Sequence, residues 1–479
     1  MRRILTRAAR AVAAASVALA ALAPRTAAAD DVDLIPQGVL EAPPVPPSVE
    51  PQVNVLPPRS PWRGKFFLED GLTLSSAPHE VPVPYPATLA RDWQNRSSFD
   101  ASVQWQPWQP ITLTLSDRLN VFEQAGQAFV SANTIRNDLR EASLTWEPAS
   151  NMYLEAGRIN VRNGTALGYN PTDFFKTRTL VGQASLDPSV IRQNRLGTLM
   201  VREQTIWSGG SASVAFAPKV ADPSPIVENE PVGVDPHFAA TNAANRVLCT
   251  LNLDLLDLSP QVLGYFELHR SKIGANVSRT FGDAVVVYAE WAGGLEANLA
   301  ARANAFGRAT EDLPANAPTV PPVATSSTFR NDVATGFSWT IATRLTLNLE
   351  YHFHQAAFTR ADWQNWFNLG SAPNAPAGLT NALWYVRGYA NDQQEPMTQQ
   401  QIFVRASWPR AFVTELELTA FAFVDLLDAS ALTQLSANYY LSDAWTASAY
   451  LSANLGQERS ERGSLPQRAN VILQVTRYL

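Results

Sequence analysis

Long runs in which apolar and polar residues alternate recur along most of this chain, and no other feature narrows its fold so far. Trp445, Ala447, Ala449, Leu451, Ala453 and Leu455 alternate with Thr446, Ser448, Tyr450, Ser452 and Asn454. Val247, Cys249, Leu251, Leu253 and Leu255 alternate with Thr250, Asn252 and Asp254. Leu345, Leu347, Leu349, Tyr351 and Phe353 do so with Thr346, Asn348, Glu350, His352 and His354. A period of two puts the two sets on opposite faces of a β-strand. One such strand fits a soluble sandwich equally well, but strands there are usually about 5–6 residues long. Runs of roughly 9–14 residues, with Trp and Tyr near their ends, fit a membrane barrel with an apolar outside and a polar inside.

The N-terminus supplies an address. Arg2, Arg3, Arg7 and Arg10 precede an apolar stretch at 11–23, and Ala27-Ala28-Ala29 precedes Asp30. Residues 1–29 thus read as a cleaved secretory signal. The stretch is too short for a spanning helix, which needs about 20 apolar residues. Residues 30–61 are proline-dominated, as in Pro43-Pro44-Val45-Pro46-Pro47 and Pro57-Pro58. That composition favours extended polyproline II and buries nothing, so this segment is expected to be a periplasmic linker. Residues 62–479 form the barrel unit. A formal charge of −6 gives no reason to expect nucleic acid. The lone Cys249 excludes an intramolecular disulfide and a thiolate metal cluster.

Turn signals at 107–110, 148–151, 208–210, 257–260, 282–283, 342–344, 409–411 and 442–444 allow a strand count. Membrane barrels keep short turns on the periplasmic side and long loops outside. These eight turns join sixteen strands in pairs, with one strand at 64–75 before them and one at 467–479 after. The expectation is an all-β, antiparallel up-and-down transmembrane barrel of eighteen strands, with sixteen as the alternative. Eighteen requires tight outer links near Arg270 and Leu427.

Leu139-Arg140-Glu141-Ala142-Ser143-Leu144-Thr145-Trp146-Glu147, followed by Gly157-Arg158-Ile159-Asn160-Val161-Arg162-Asn163-Gly164, is similar to a strand–turn–strand of several outer-membrane channel families. In size and layout the whole of 62–479 resembles Gram-negative porins and substrate-specific channels, including the eighteen-stranded alginate-export type. The final strand, ending Tyr478-Leu479, resembles the C-terminal signal read by the barrel-assembly machinery, with Leu in place of the usual terminal aromatic. The resemblance implies outer-membrane lipid as surroundings and an open, water-filled lumen. It implies passage of small polar or anionic solutes, or export of an acidic saccharide; a non-conducting structural or adhesive barrel is the third reading.

Alternation assigns Arg118, Arg158, Arg162 and Arg202 to one wall of the lumen. It assigns Asp254, Glu267, Glu290, Asp332, Glu350, Glu415 and Glu417 to the other. Opposed rings of charge orient solutes and set ion selectivity; the bland alternative is that these groups solvate a wet wall. The linker 164–194 mixes Tyr169-Asn170-Pro171, Phe174-Phe175 and charged Asp173, Arg178 and Arg192, and is expected to fold into the pore as a constriction, with a surface cap as the alternative. Two other long links, 295–328 and 359–398, read as loops, the second rich in tryptophan that packs over the mouth. Glu350, His352 and His354 share a strand face, yet their spacing is poor for one metal, and no metal or cofactor is assigned. No nucleophile stands beside His79, His237, His269, His352 or His354 in a recognisable motif, so an enzyme is not expected.

Overall fold

The computed structural model describes residues 61–86, 89–126, 131–226, 232–233, 235–255, 258–268, 270–341 and 344–479. The signal and the proline-rich segment expected in 1–60 lie outside them. Nineteen strands follow one another: β1 (Trp62–Ser75), β2 (Arg91–Trp108), β3 (Ile111–Gly126), β4 (Ser131–Ala149), β5 (Met152–Ile159), β6 (Thr198–Trp207), β7 (Gly210–Ala217), β8 (Val232–Gly233), β9 (Arg246–Leu253) and β10 (Gln261–Glu267). They continue as β11 (Lys272–Phe281), β12 (Val285–Glu296), β13 (Thr328–Thr340), β14 (Thr346–His354), β15 (Gln400–Trp408), β16 (Leu416–Asp425), β17 (Ala431–Ser442), β18 (Trp445–Leu455) and β19 (Ala469–Tyr478). All but the two-residue β8 pair antiparallel with their neighbours in one ring, and β1 closes it on β19 from Phe67↔Tyr478 to Ser75↔Asn470. The barrel therefore has eighteen strands, and the tight links near Arg270 and Leu427 are present.

The wall is inverted relative to a soluble sheet. On β18 Thr446, Ser448, Tyr450 and Ser452 are buried, whereas Leu451 and Leu455 are exposed. On β3 Ser116, Arg118 and Asn120 are buried between exposed Leu115, Leu119 and Val121. An outward apolar surface on every side is stable only against hydrocarbon. Closure matters for the same reason, because an open edge would leave unpaired N–H and C=O groups in lipid. Near the turn end, Trp62, Trp105, Trp108, Trp146, Trp207, Trp339 and Trp445 stand exposed, as a membrane-interface belt requires. No helix among the described residues is long and apolar enough to cross a membrane.

The wall is uneven in height. β2, β3 and β4 are 18, 16 and 19 residues long, whereas β5, β7 and β9 have 8 each. β5 leaves β4 at Ala142↔Arg158, and above that point β8 pairs in parallel with Ile135 and Arg136 of β4. The low stretch of wall is thus completed by the linker between β7 and β9, which carries the short helix α2 (Phe238–Thr241) after α1 (Pro188–Asn194) of the preceding linker.

The two links expected as plain loops are largely helical. They form α3 (Leu299–Ala309), α4 (Arg360–Gly370) and α5 (Ala377–Asp392), which share one apolar core with Val83, Phe358 and Met397. Trp363, Trp366 and Trp384 are buried there, packing the cap at the loop end. Arg387 lies 4.7 Å from the Trp384 ring centroid, a cation over an aromatic face.

Candidate functional site

The chain must leave the wall sharply where β5 ends. Gly157 has φ +128°, and a Cβ there would sit 2.2 Å from the Ala142 carbonyl oxygen, so only glycine fits. From Asn160 the chain turns inward and returns to the wall at Gly197, whose N–H donates to Arg140 O at 2.8 Å. The two ends of this segment are tied together. Arg195 donates from Nε to Asn160 Oδ1 at 2.8 Å and forks onto Asp173 at 2.7 and 3.0 Å. Arg192 donates to Asn163 O and Gly164 O at 2.6 and 2.8 Å, and its charge lies 3.8 Å from Asp173.

Between those ends the segment reaches the far side of the barrel. Thr165 and Ala166 donate backbone N–H groups to Glu290 of β12. Leu167 and Gly168 donate theirs to the two oxygens of Glu350 of β14, at 2.6 and 2.9 Å. Tyr288 and His352 hold the same carboxylate at 2.6 and 2.7 Å. Further on, Leu186 N–H donates to Gln434 of β17 at 3.0 Å, and Arg405 of β15 to Asp187 at 2.8 Å. A segment that leaves from β5 and anchors on β12, β14, β15 and β17 crosses the lumen from one wall to the opposite one. Its middle is buried, with Tyr169, Thr172, Asp173, Phe175 and Lys176 all inaccessible or nearly so.

Arg178 couples the segment to the cap, pairing with Asp392 at 3.1 Å and donating to Ala239 O at 3.3 Å. Below α3 and α5 lies a dense ion network. Glu395 meets Arg302 at 2.6 Å and Arg270 at 2.8 Å, Glu296 meets Lys272 at 2.8 Å, and Asp332 meets His354 at 2.6 Å. Burial alone would raise the Glu395 carboxyl, but Arg302, His354 and Arg270 hold it well below the usual carboxylate range. Lys176, buried over the Tyr169 ring, is pushed by burial down to about 8 despite Asp173, Glu395 and Asp332 nearby.

The residues singled out by alternation divide into groups. Arg118 is buried on the inner face, paired with Glu69 and, at 3.3 Å, with Asp100. Glu290, Asp332 and Glu350 are inward and buried, but their oxygens are occupied by the crossing segment or by neighbouring cations. Arg202 pairs with Glu155, Glu267 accepts from Tyr265, and Glu417 accepts from Tyr440 at 2.8 Å. Four placements differ from expectation. Arg158 is locked beneath the β7–β9 linker, donating to Gly197 O at 3.0 Å and to Pro236 O, with Phe238 5.5 Å away. Arg162 lies beyond the end of β5, exposed on the segment, because the strand stops at Ile159. Asp254 follows the last residue of β9, and Glu415 lies in the 409–415 turn, which is longer than the 409–411 expected; both are exposed.

Arg96 and Arg140 escaped the alternation argument. They flank Arg118 on β2 and β4, Arg140 forking with Asn194 at 3.3 Å and Asp100 at 2.6 Å, and Arg96 donating to Gln474 at 2.8 Å. Their signal was present in Arg96, Ser98 and Asp100, which alternate, but outward Asn95 and Ser97 blur the pattern. Glu350, His352 and His354 share a face, but Glu350 is held by the crossing segment, Tyr288 and His352, and His354 Nδ1 by Asp332 and Tyr169. Among the described residues no group of three or more His, Cys, Asp or Glu side chains is arranged to hold a metal ion.

No protein-family model and no curated protein matches the chain. Solved barrels are similar at low identity. Pseudomonas aeruginosa OccK5 (OpdH) is 8% identical over 87% of this chain and 98% of its own, with a TM-score of 0.49. P. aeruginosa OccK11 (OpdR) is 10% identical over 87% and 96%, with a TM-score of 0.47. A triple mutant of the Rhodopseudomonas blastica porin is 8% identical over 87% and 100%, with a TM-score of 0.38.

Proposed function

We propose that the chain is a porin-like channel of the Gram-negative outer membrane, passing small polar or anionic solutes by diffusion. The observation that carries this reading is the segment between β5 and β6, seated across the polar interior of a closed barrel whose exterior is apolar. On this reading the segment narrows the lumen without closing it. Around it, Arg96, Arg118 and Arg140 stand on one wall, paired with Glu69 and Asp100, while Glu290 and Glu350 on the other wall hold the segment in place. On this reading residues 1–29 export the chain, and residues 30–61 lie in the periplasm.

Planar-bilayer recording tests the proposal. The purified barrel gives discrete conductance steps, and replacing 166–190 by a short Gly-Ser link raises the step size severalfold. Absence of steps from both proteins, with both barrels folded and heat-modifiable, rejects the channel.

A further inference from the structure

At the loop end, a groove of about 540 Å³ lies between the β16–β17 turn, the start of α4 and the β18–β19 linker. That volume is in the range of small-molecule sites. Trp363 and Leu426 line its apolar side, and Arg360, Gln364 and Arg459 its polar side.

The groove is a place for negative charge. Arg360 is exposed and has no ion-pair or hydrogen-bond partner among the described residues. Arg459 is exposed too, and donates only to Asn368 Oδ1, at 2.7 Å. Asp428, the one carboxylate of the lining, has its oxygens committed to the frame: Trp363 Nε1 at 3.1 Å, Glu461 N–H at 2.6 Å and Ser430 N–H at 2.9 Å. Two guanidiniums thus line the cavity without a carboxylate partner, one unpaired and one held only by a neutral amide, and a guanidinium is built to fork onto phosphate or carboxylate. Gln364 stands one helical turn after Arg360 on the same face and offers a carboxamide for hydroxyl groups.

Its height along the barrel selects among anions. Leu416, Leu418, Ala420, Ala422 and Val424 form the outward row of β16, and Leu426 continues it. That rise is about the 25 Å of an outer-membrane apolar belt. Leu426, 41% exposed, therefore marks the upper edge of the hydrocarbon, and the groove opens at the level of the outer-leaflet headgroups. A soluble anion would gain nothing from Leu426; an anionic lipid places its chains beside that leucine and its headgroup against the arginines.

We infer that this groove binds the phosphorylated sugar headgroup of an outer-leaflet glycolipid. The inference rests on the outer-membrane placement proposed above, but not on conduction. The barrel in detergent is titrated with rough-type lipopolysaccharide, with the same material dephosphorylated, and with glucose 6-phosphate, and binding is followed by native mass spectrometry. The phosphorylated lipopolysaccharide binds the wild type, and Arg360→Gln with Arg459→Gln weakens that binding about tenfold or more, the loss of a charge-assisted pair. The variant remains heat-modifiable and conducts as the wild type does. Equal binding by the variant, or by dephosphorylated lipopolysaccharide, overturns the inference. Glucose 6-phosphate binding as tightly as the glycolipid overturns the lipid source. A conducting barrel that binds no glycolipid rejects this inference alone, whereas a glycolipid-binding barrel without conductance rejects only the channel.

Discussion

Glu290 and Glu350 accept backbone N–H groups from four consecutive residues, 165–168, that stand more than a hundred positions away in sequence. Each donor left without a partner in a buried setting costs about 1–3 kcal/mol. Replacing both glutamates by alanine should therefore release the segment while the strands, held by their own ladders, stay paired. Limited proteolysis in detergent should cut within 165–192 at least tenfold faster, with heat-modifiability unchanged; unchanged cleavage would show that Asp187–Arg405 and the tied ends suffice. Lys176 makes a second point. Burial lowers its folded pKa from 10.5 to about 8, so between those values the unfolded chain binds the extra proton. Stability should then rise with pH from about 8 to 10.5, by at most about 3 kcal/mol. Lys176→Met should flatten that part of the thermal-midpoint profile, and a variant that keeps the rise would assign it elsewhere. At this scale alternation located Arg118, Glu290 and Glu350 on inner faces because each sits mid-strand. It misplaced Arg162, Asp254 and Glu415 because a period of two does not reveal where a strand stops. Arg158 went astray because what covers it, the β7–β9 linker, comes from far along the chain.

Among elements, the segment between β5 and β6 was legible because its length and mixture of aromatic, Asn-Pro and charged residues are wrong for a tight turn. The cap helices were not, though α4 carries ordinary signals. Thr359 and Asp362 form a reciprocal capping box at the start of α4, and Trp363, Trp366, Phe367 and Gly370 then fall on one face at helical spacing. Tryptophan at that spacing was read as loop packing, which is correct about burial and silent about helix. Removing the box tests how far the cap stands on its own. Thr359→Ala loses the hydroxyl that accepts from Asp362 N–H and donates to Asp362 Oδ2, worth about 1 kcal/mol. Cap opening should speed up about fivefold by hydrogen exchange at α4 amides, with strand amides unaffected. Equal acceleration in β14 and β15 would mean that cap and barrel open as one unit.

The whole molecule was the most legible scale, since closure follows from counting turns and from the rule that no edge can face lipid. Phe67 pairs with Tyr478 and Leu479 N–H donates to Phe66 O at 2.9 Å, which ties the last residue to the first strand. The count does not by itself say which end faces the cell exterior, and accessibility decides that. Cys249 lies on the outward face of β9 between Val247 and Leu251, so it is first replaced by alanine. A cysteine at exposed Asn381 on α5, or at exposed Glu458 in the β18–β19 linker, stands at the loop end. A cysteine at Gly209 or Ser442 stands at the turn end, level with Trp207 and Trp445. If long loops face outward, an impermeant maleimide on intact cells labels the first pair and leaves the second untouched until the outer membrane is opened. The reagent is chosen too large to pass the proposed constriction, so that it cannot reach the turns from outside. Labelling of Gly209→Cys on intact cells, with Asn381→Cys silent, would invert the barrel and move the arginine-lined groove to the periplasmic leaflet.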